Sequence, residues 1–125
     1  MLTIERFVAI AEELGWRVSE EDKENEKEFV FAQYSDAGQD FSVELTIRNN
    51  DAKSLINELS RYVSDFDVSE ETYKWLDHTG HGKNGAPYDM IDVYKDMEEC
   101  VEMMEELLSY WMAEALIEKK KEIEQ

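Results

Sequence analysis

Five carboxylates, Asp92, Asp96, Glu99, Glu102 and Glu106, follow one another at steps of four, three, three and four residues in the C-terminal third of a 125-residue chain. On a helix this spacing lines them along one face. Neighbours one turn apart stand ~5–6 Å from each other, a separation comparable to that of successive phosphates along a nucleic-acid strand. Glu98 and Glu105 flank the row, and Lys95 is the only base between Met90 and Trp111. Such a row can offer a basic protein surface an array of negative charge resembling a phosphate backbone. An amphipathic helix with a solvated acidic face has the same pattern, so the spacing alone leaves both readings open. A second acidic group lies at Glu20, Glu21, Asp22 and Glu24, inside a run through Glu28 that includes Lys23 and Lys27. It is partly self-neutralised, and we read it as a second contact site on an exposed loop.

Other residues with chemical potential are weaker candidates. His78-Thr79-Gly80-His81, with Asp77, Asp89 or Cys100 nearby in sequence, suggests a metal site. A second cysteine or histidine pair at ligand spacing is missing, so no metal is expected. Gly80-His81-Gly82-Lys83-Asn84-Gly85 is glycine-rich but lacks the Gly-x-x-x-x-Gly-Lys-Ser/Thr spacing of a phosphate-binding loop. No serine, and not Cys100, sits in a nucleophile motif. With 31 acids in the chain, paired carboxylates carry no specific signal. We therefore expect no catalytic residue, no cofactor and a non-enzymatic role.

Composition narrows the partner. There are 31 acidic and 13 basic residues, a formal net charge of -18. Nucleic-acid phosphates and anionic membranes are repelled by that sign, whereas basic protein surfaces are attracted and their association accelerated. Apolar residues make up 42%, enough for a core in a single domain spanning 1–125. One cysteine excludes an internal disulfide and fits a reducing, cytoplasmic setting. The first residues lack the pattern of a signal peptide, and no apolar run reaches membrane-spanning length.

The elements that position these residues follow from periodicity. Ile4, Phe7, Val8, Ile10, Ala11 and Leu14 predict a helix over residues 3–14, capped by Thr3 and stopped at Gly15. Three strands follow, at 16–18, 28–34 and 41–48. The third alternates Phe41, Val43, Leu45 and Ile47 against Ser42, Glu44, Thr46 and Arg48. Residues 19–27 are too polar to pack and read as an exposed loop, and residues 35–39 read as a hairpin turn. Asn50 or Asp51 caps a helix ending near Val63, and Ser69 caps a short helix over 70–76. Residues 77–89 hold three of the five glycines and the only proline and read as a long loop.

The last helix, 89–121, carries Met90, Tyr94, Met97, Val101, Met104, Leu108, Trp111 and Ala115 at alternating steps of four and three. This stripe can lie on the sheet, pack on other helices, or form a dimer seam through Met104, Leu108 and Trp111. The methionines are read chiefly as core. A helix and antiparallel strands followed by segregated helices define an α+β class.

The stretch from Trp75-Leu76-Asp77 through Gly80-His81-Gly82-Lys83-Asn84-Gly85-Ala86-Pro87-Tyr88-Asp89 to Val93-Tyr94-Lys95-Asp96-Met97-Glu98 resembles a recurring segment of small acidic proteins on phages and mobile elements of gut Firmicutes. It covers about a fifth of the chain and implies a setting rather than a mechanism. In size, charge and element order the layout is also similar to DNA-mimic anti-CRISPR proteins, although no motif carries over residue by residue. That resemblance implies an inhibitor that sets carboxylates against the basic site where an RNA-guided nuclease reads its PAM. Acidic inhibitors of restriction enzymes fit equally. The alternative is an accessory or oligomerisation protein that uses the apolar stripe and is acidic only for solubility.

Overall fold

The computed structural model describes residues 1–124. Its elements are α1 (Ile4–Glu13), β1 (Arg17–Lys23), β2 (Glu26–Tyr34), β3 (Asp40–Ile47), α2 (Lys53–Asp65), α3 (Val68–Lys74) and α4 (Met90–Glu124). The fold is α+β, in the expected order, with a three-stranded antiparallel sheet β1-β2-β3.

Thr3 opens α1 by accepting a hydrogen bond from the Arg6 amide at 3.0 Å, which satisfies one of the free donors of the first turn. Gly15 ends it with φ +96. A side chain there would be strained by that backbone, and its Cβ would come within 2.8 Å of Gln33 Nε2. The chain can then reverse directly into β1.

Residues 19–27 form a β-hairpin rather than a loop. β1 pairs with β2 from Arg17↔Ala32 to Lys23↔Glu26, around a turn in which Asn25 takes φ +75. Asparagine tolerates the left-handed region better than most residues. The strand forms despite its polarity because β2 supplies a buried template, with Phe29 and Phe31 facing the core. Charges are then matched across the strands. Lys23 Nζ lies 2.8 Å from Glu28, and Lys27 Nζ lies 3.1 Å from Glu20. These hydrogen bonds hold both lysines above their ordinary ionisation range. A strand rich in charge also suits a sheet edge, where it discourages pairing with another chain.

β3 alternates as expected. Phe41, Val43, Leu45 and Ile47 are buried, while Ser42 and Glu44 are exposed. The second helix differs at its start. Asp51 accepts from the Lys53 amide, but the cap position is Ala52, and Asn49 organises the turn by accepting from Asp51 N and Ser54 Oγ. The third helix is capped by Asp67, not Ser69. Its carboxylate accepts from the amides of Ser69 and Glu70. Asp67 wins because its single oxygen reaches both free amides of the first turn.

The core gathers on one face of the sheet around Trp111 of α4. Its ring stacks on Phe7 of α1 at 5.2 Å and meets Phe31 of β2 edge-on at 5.4 Å. Its indole N–H donates to the Phe7 carbonyl at 3.0 Å, so the polar end of the buried ring is satisfied. Val93, Met97, Cys100, Met104 and Leu107 continue the buried side of α4.

Gly15→Ala is expected to destabilise the fold by roughly 1–2 kcal/mol, because alanine must take a left-handed conformation against Gln33. Urea unfolding measures this. A midpoint equal to that of the parent protein would rule out the strain.

Candidate acidic surface

The carboxylate row of α4 divides in two. Asp92, Glu102 and Glu106 are exposed and Glu99 is half-buried, with Glu98 and Glu105 exposed beside them. Asp96 is not on that face: only 3% of it is exposed. This corrects its expected role as a partner contact. Its Oδ2 accepts from Ser35 Oγ at 2.7 Å and from Gln39 Nε2 at 3.2 Å, and its Oδ1 accepts from the Ala37 amide at 3.4 Å. Ser35 Oγ also accepts from Gln39 N, and Gln39 Oε1 accepts from Asn84 Nδ2. One carboxylate therefore fastens the β2–β3 turn to α4, and through Gln39 it reaches the 77–89 loop. Buried polar groups persist when they are matched in this way.

The clamp adds a residue that sequence spacing missed. Asp36, in the turn held by Asp96, comes beside Glu99. Burial raises the Glu99 carboxyl above its ordinary range, and the charge and hydrogen bond of Asp36 raise it further. The exposed array is thus Asp92, Glu99, Glu102 and Glu106 with Asp36 added from another element. Without Asp96 the step from Asp92 to Glu99 is seven residues, with Lys95 exposed between them, so the phosphate-like rhythm holds only over Glu99, Glu102 and Glu106.

Glu20, Glu21, Asp22 and Glu24 all remain exposed, but on a hairpin whose charged neighbours are its own lysines and Glu5 of α1. The two acidic groups are held by different surroundings. Glu20 and Asp22 share Lys27, at 3.1 and 3.9 Å, so one positive charge offsets part of that group. Glu21 and Glu24 carry no ion pair among the described residues.

The 77–89 loop is tied to itself. Asp77 Oδ1 accepts from Thr79 N, Thr79 Oγ1 and His81 N. The Thr79 hydroxyl, followed by the His81 amide, lowers the Asp77 carboxyl to about 2. His81 stacks on Tyr88 at 4.1 Å, and Gly82 N donates to the Tyr88 carbonyl. Glycine is required at 82, since a Cβ would meet the Pro87 oxygen at 1.9 Å. Among the described residues no three His, Cys, Asp or Glu side chains are grouped to hold a metal. Cys100 is buried, and burial pushes its thiol up to about 12, which leaves it neutral and poorly nucleophilic.

The dimer seam expected from Met104, Leu108 and Trp111 is also corrected. Met104 and Trp111 are fully buried in the core, and Leu108 packs against it. Met97, Met104 and Trp111 of the stripe are consumed inside the molecule, whereas Met90 at its start stays exposed. No helix among the described residues is long and apolar enough to cross a membrane. No family model, curated protein or solved structure matches this chain.

Three variants test the clamp and the array. Asp96→Ala leaves three donors without an acceptor and is expected to cost about 2–4 kcal/mol, whereas Asp96→Asn keeps one acceptor oxygen and should cost less. Denaturant unfolding of both variants ranks them, and equal stability with the parent would show that the clamp is not needed. Glu99 has the opposite sign. Its carboxyl is raised in the fold, so the fold favours the protonated form, and the charged form costs stability as pH rises above 4.5. Glu99→Gln should therefore stabilise the protein by at least a few tenths of a kcal/mol at neutral pH. The gain should fade as pH drops below 4.5, where the parent side chain is neutral in both states. Unfolding midpoints at pH 7 and pH 4 measure both ends.

Proposed function

We propose that this chain is a non-catalytic acidic inhibitor that occupies a basic nucleic-acid-binding surface of a defence protein, foremost an RNA-guided nuclease. The observation that supports the reading most directly is the exposed array on α4. Asp92, Glu99, Glu102 and Glu106 project from one rigid 35-residue helix, and Asp36 is fastened beside them by a buried clamp. The backbone of α4 is ordered before any partner arrives, and its carboxylates match the bidentate geometry of the arginines that read bases in the major groove. A net charge of -18 adds long-range steering toward such a surface. Glu21 and Glu24 on the hairpin, which form no ion pair among the described residues, are the better half of a second contact. In this reading the protein acts in the cytoplasm of a host cell that carries the mobile element.

The test is competition. The protein should displace a PAM-containing duplex from an RNA-guided nuclease and slow its cleavage, and the effect should weaken as salt rises from 50 to 300 mM. Combining Asp92→Asn, Glu99→Gln, Glu102→Gln and Glu106→Gln should weaken binding at least tenfold, while Asp96→Asn should leave affinity within twofold. A quadruple variant that competes as well as the parent would remove α4 from the interface.

A further inference from the structure

An apolar depression interrupts the acidic surface. It lies between α3 and the first turns of α4, has a volume of about 320 Å³, and is lined by Ser69, Thr72, Tyr73, Met90, Ile91 and Tyr94. Tyr73 is 68% exposed, Ile91 59% and Met90 47%. Large apolar side chains left this open in one patch mark an interaction surface. Thr72 Oγ1 is already committed to the Val68 carbonyl, so it does not offer its hydroxyl proton to a ligand. Ser69, Tyr73, Met90 and Ile91 of the lining are exposed, while Thr72 is buried and Tyr94 half-buried.

Charge identifies the occupant. The walls, α3 with its cap Asp67 and the first turns of α4 from Asp89 to Lys95, carry Asp67, Glu70, Glu71, Asp89 and Asp92 against Lys74, paired with Glu71 at 2.8 Å, and Lys95, which leaves them net negative. The other exposed apolar group, Leu116, Ile117 and Ile123 toward the end of α4, lies among Lys119, Lys120 and Lys121. A second copy of this chain would have to bring another -18 charges to the groove, which opposes self-docking. We infer that the α3–α4 groove receives a protruding apolar side chain flanked by lysine or arginine on a partner protein. The apolar side chain would rest on Met90 and Ile91. The flanking cations would meet the surrounding carboxylates and the exposed ring of Tyr73. This deepens the reading of the protein as a binder of basic surfaces and rests on it: the acidic array supplies attraction, and the groove supplies the contact that distinguishes one basic surface from another.

The probes are two synthetic helical peptides of equal positive charge. One has leucines at helical spacing among lysines, and the other has serines in place of the leucines. Fluorescence anisotropy against the full chain should show the leucine peptide binding at least tenfold more tightly. Ile91→Ser, at an exposed position, should abolish that difference while leaving the affinity for the serine peptide within twofold. Equal binding of the leucine peptide to the parent and to Ile91→Ser would overturn the groove. So would concentration-dependent self-association in sedimentation that Ile91→Ser abolishes, since the occupant would then be a second copy. Failure of nuclease inhibition alongside groove-dependent peptide binding would remove only the DNA-mimic reading and support the groove independently.

Discussion

The buried side of α4 is the contact on which the rest of the molecule depends. Val93, Met97, Cys100, Met104, Leu107 and Trp111 are each almost wholly removed from solvent. They receive α1 through Phe7 and the sheet through Phe31, and α2 and α3 pack along the same helix. Such burial contributes roughly 1.5–3 kcal/mol for each large side chain. A helix held this firmly on one side has its other faces defined as well. The acids are therefore outward because the apolar residues are inward, and they stay in fixed relation to each other because the helix cannot roll.

Asp96 shows how that rule is broken and compensated. By spacing it belongs with Asp92 and Glu99, but it sits far enough round the helix to fall under the β2–β3 turn. A carboxylate there is tolerable only because Ser35, Gln39 and the Ala37 amide all donate to it. The cost of burying one acid is offset by fixing the turn, and the turn in turn brings Asp36 next to Glu99. The residue is structural, and its effect on the acidic surface is indirect.

The charge is distributed unevenly in its usefulness. On the β1–β2 hairpin, lysines stand opposite carboxylates and cancel part of the field. On α4 between Met90 and Trp111 only Lys95 does so. Exposed pairs of this kind contribute little stability, so the hairpin lysines matter more for local neutralisation than for holding the fold. The α3–α4 groove adds an exposed apolar patch beside the first turns of the acidic helix.

Local signals were enough for most of the architecture. Thr3 and Gly15 mark the ends of α1, the alternation of Phe41, Val43, Leu45 and Ile47 specifies β3, and the four-three stepping from Met90 to Trp111 marks α4, whose buried side is turned toward Val93, Cys100 and Leu107 and leaves Met90 exposed. Those properties depend on periods of two and 3.6 residues, which a sequence displays directly. The polar hairpin at 19–27 was not legible, because its strand is stabilised by a partner strand and by cross-strand charges rather than by its own apolar residues. The same limit hid the clamp. Ser35, Gln39 and Asp96 are separated by about sixty residues, and no local pattern says that a carboxylate in an acidic row will find three donors. The α3–α4 groove is likewise a product of packing between distant segments. The sequence by itself determined the sign and amount of charge and the elements that carry it. Which carboxylates are exposed and which are buried is settled by folding in three dimensions, because burial and hydrogen-bond matching depend on what each side chain meets in space.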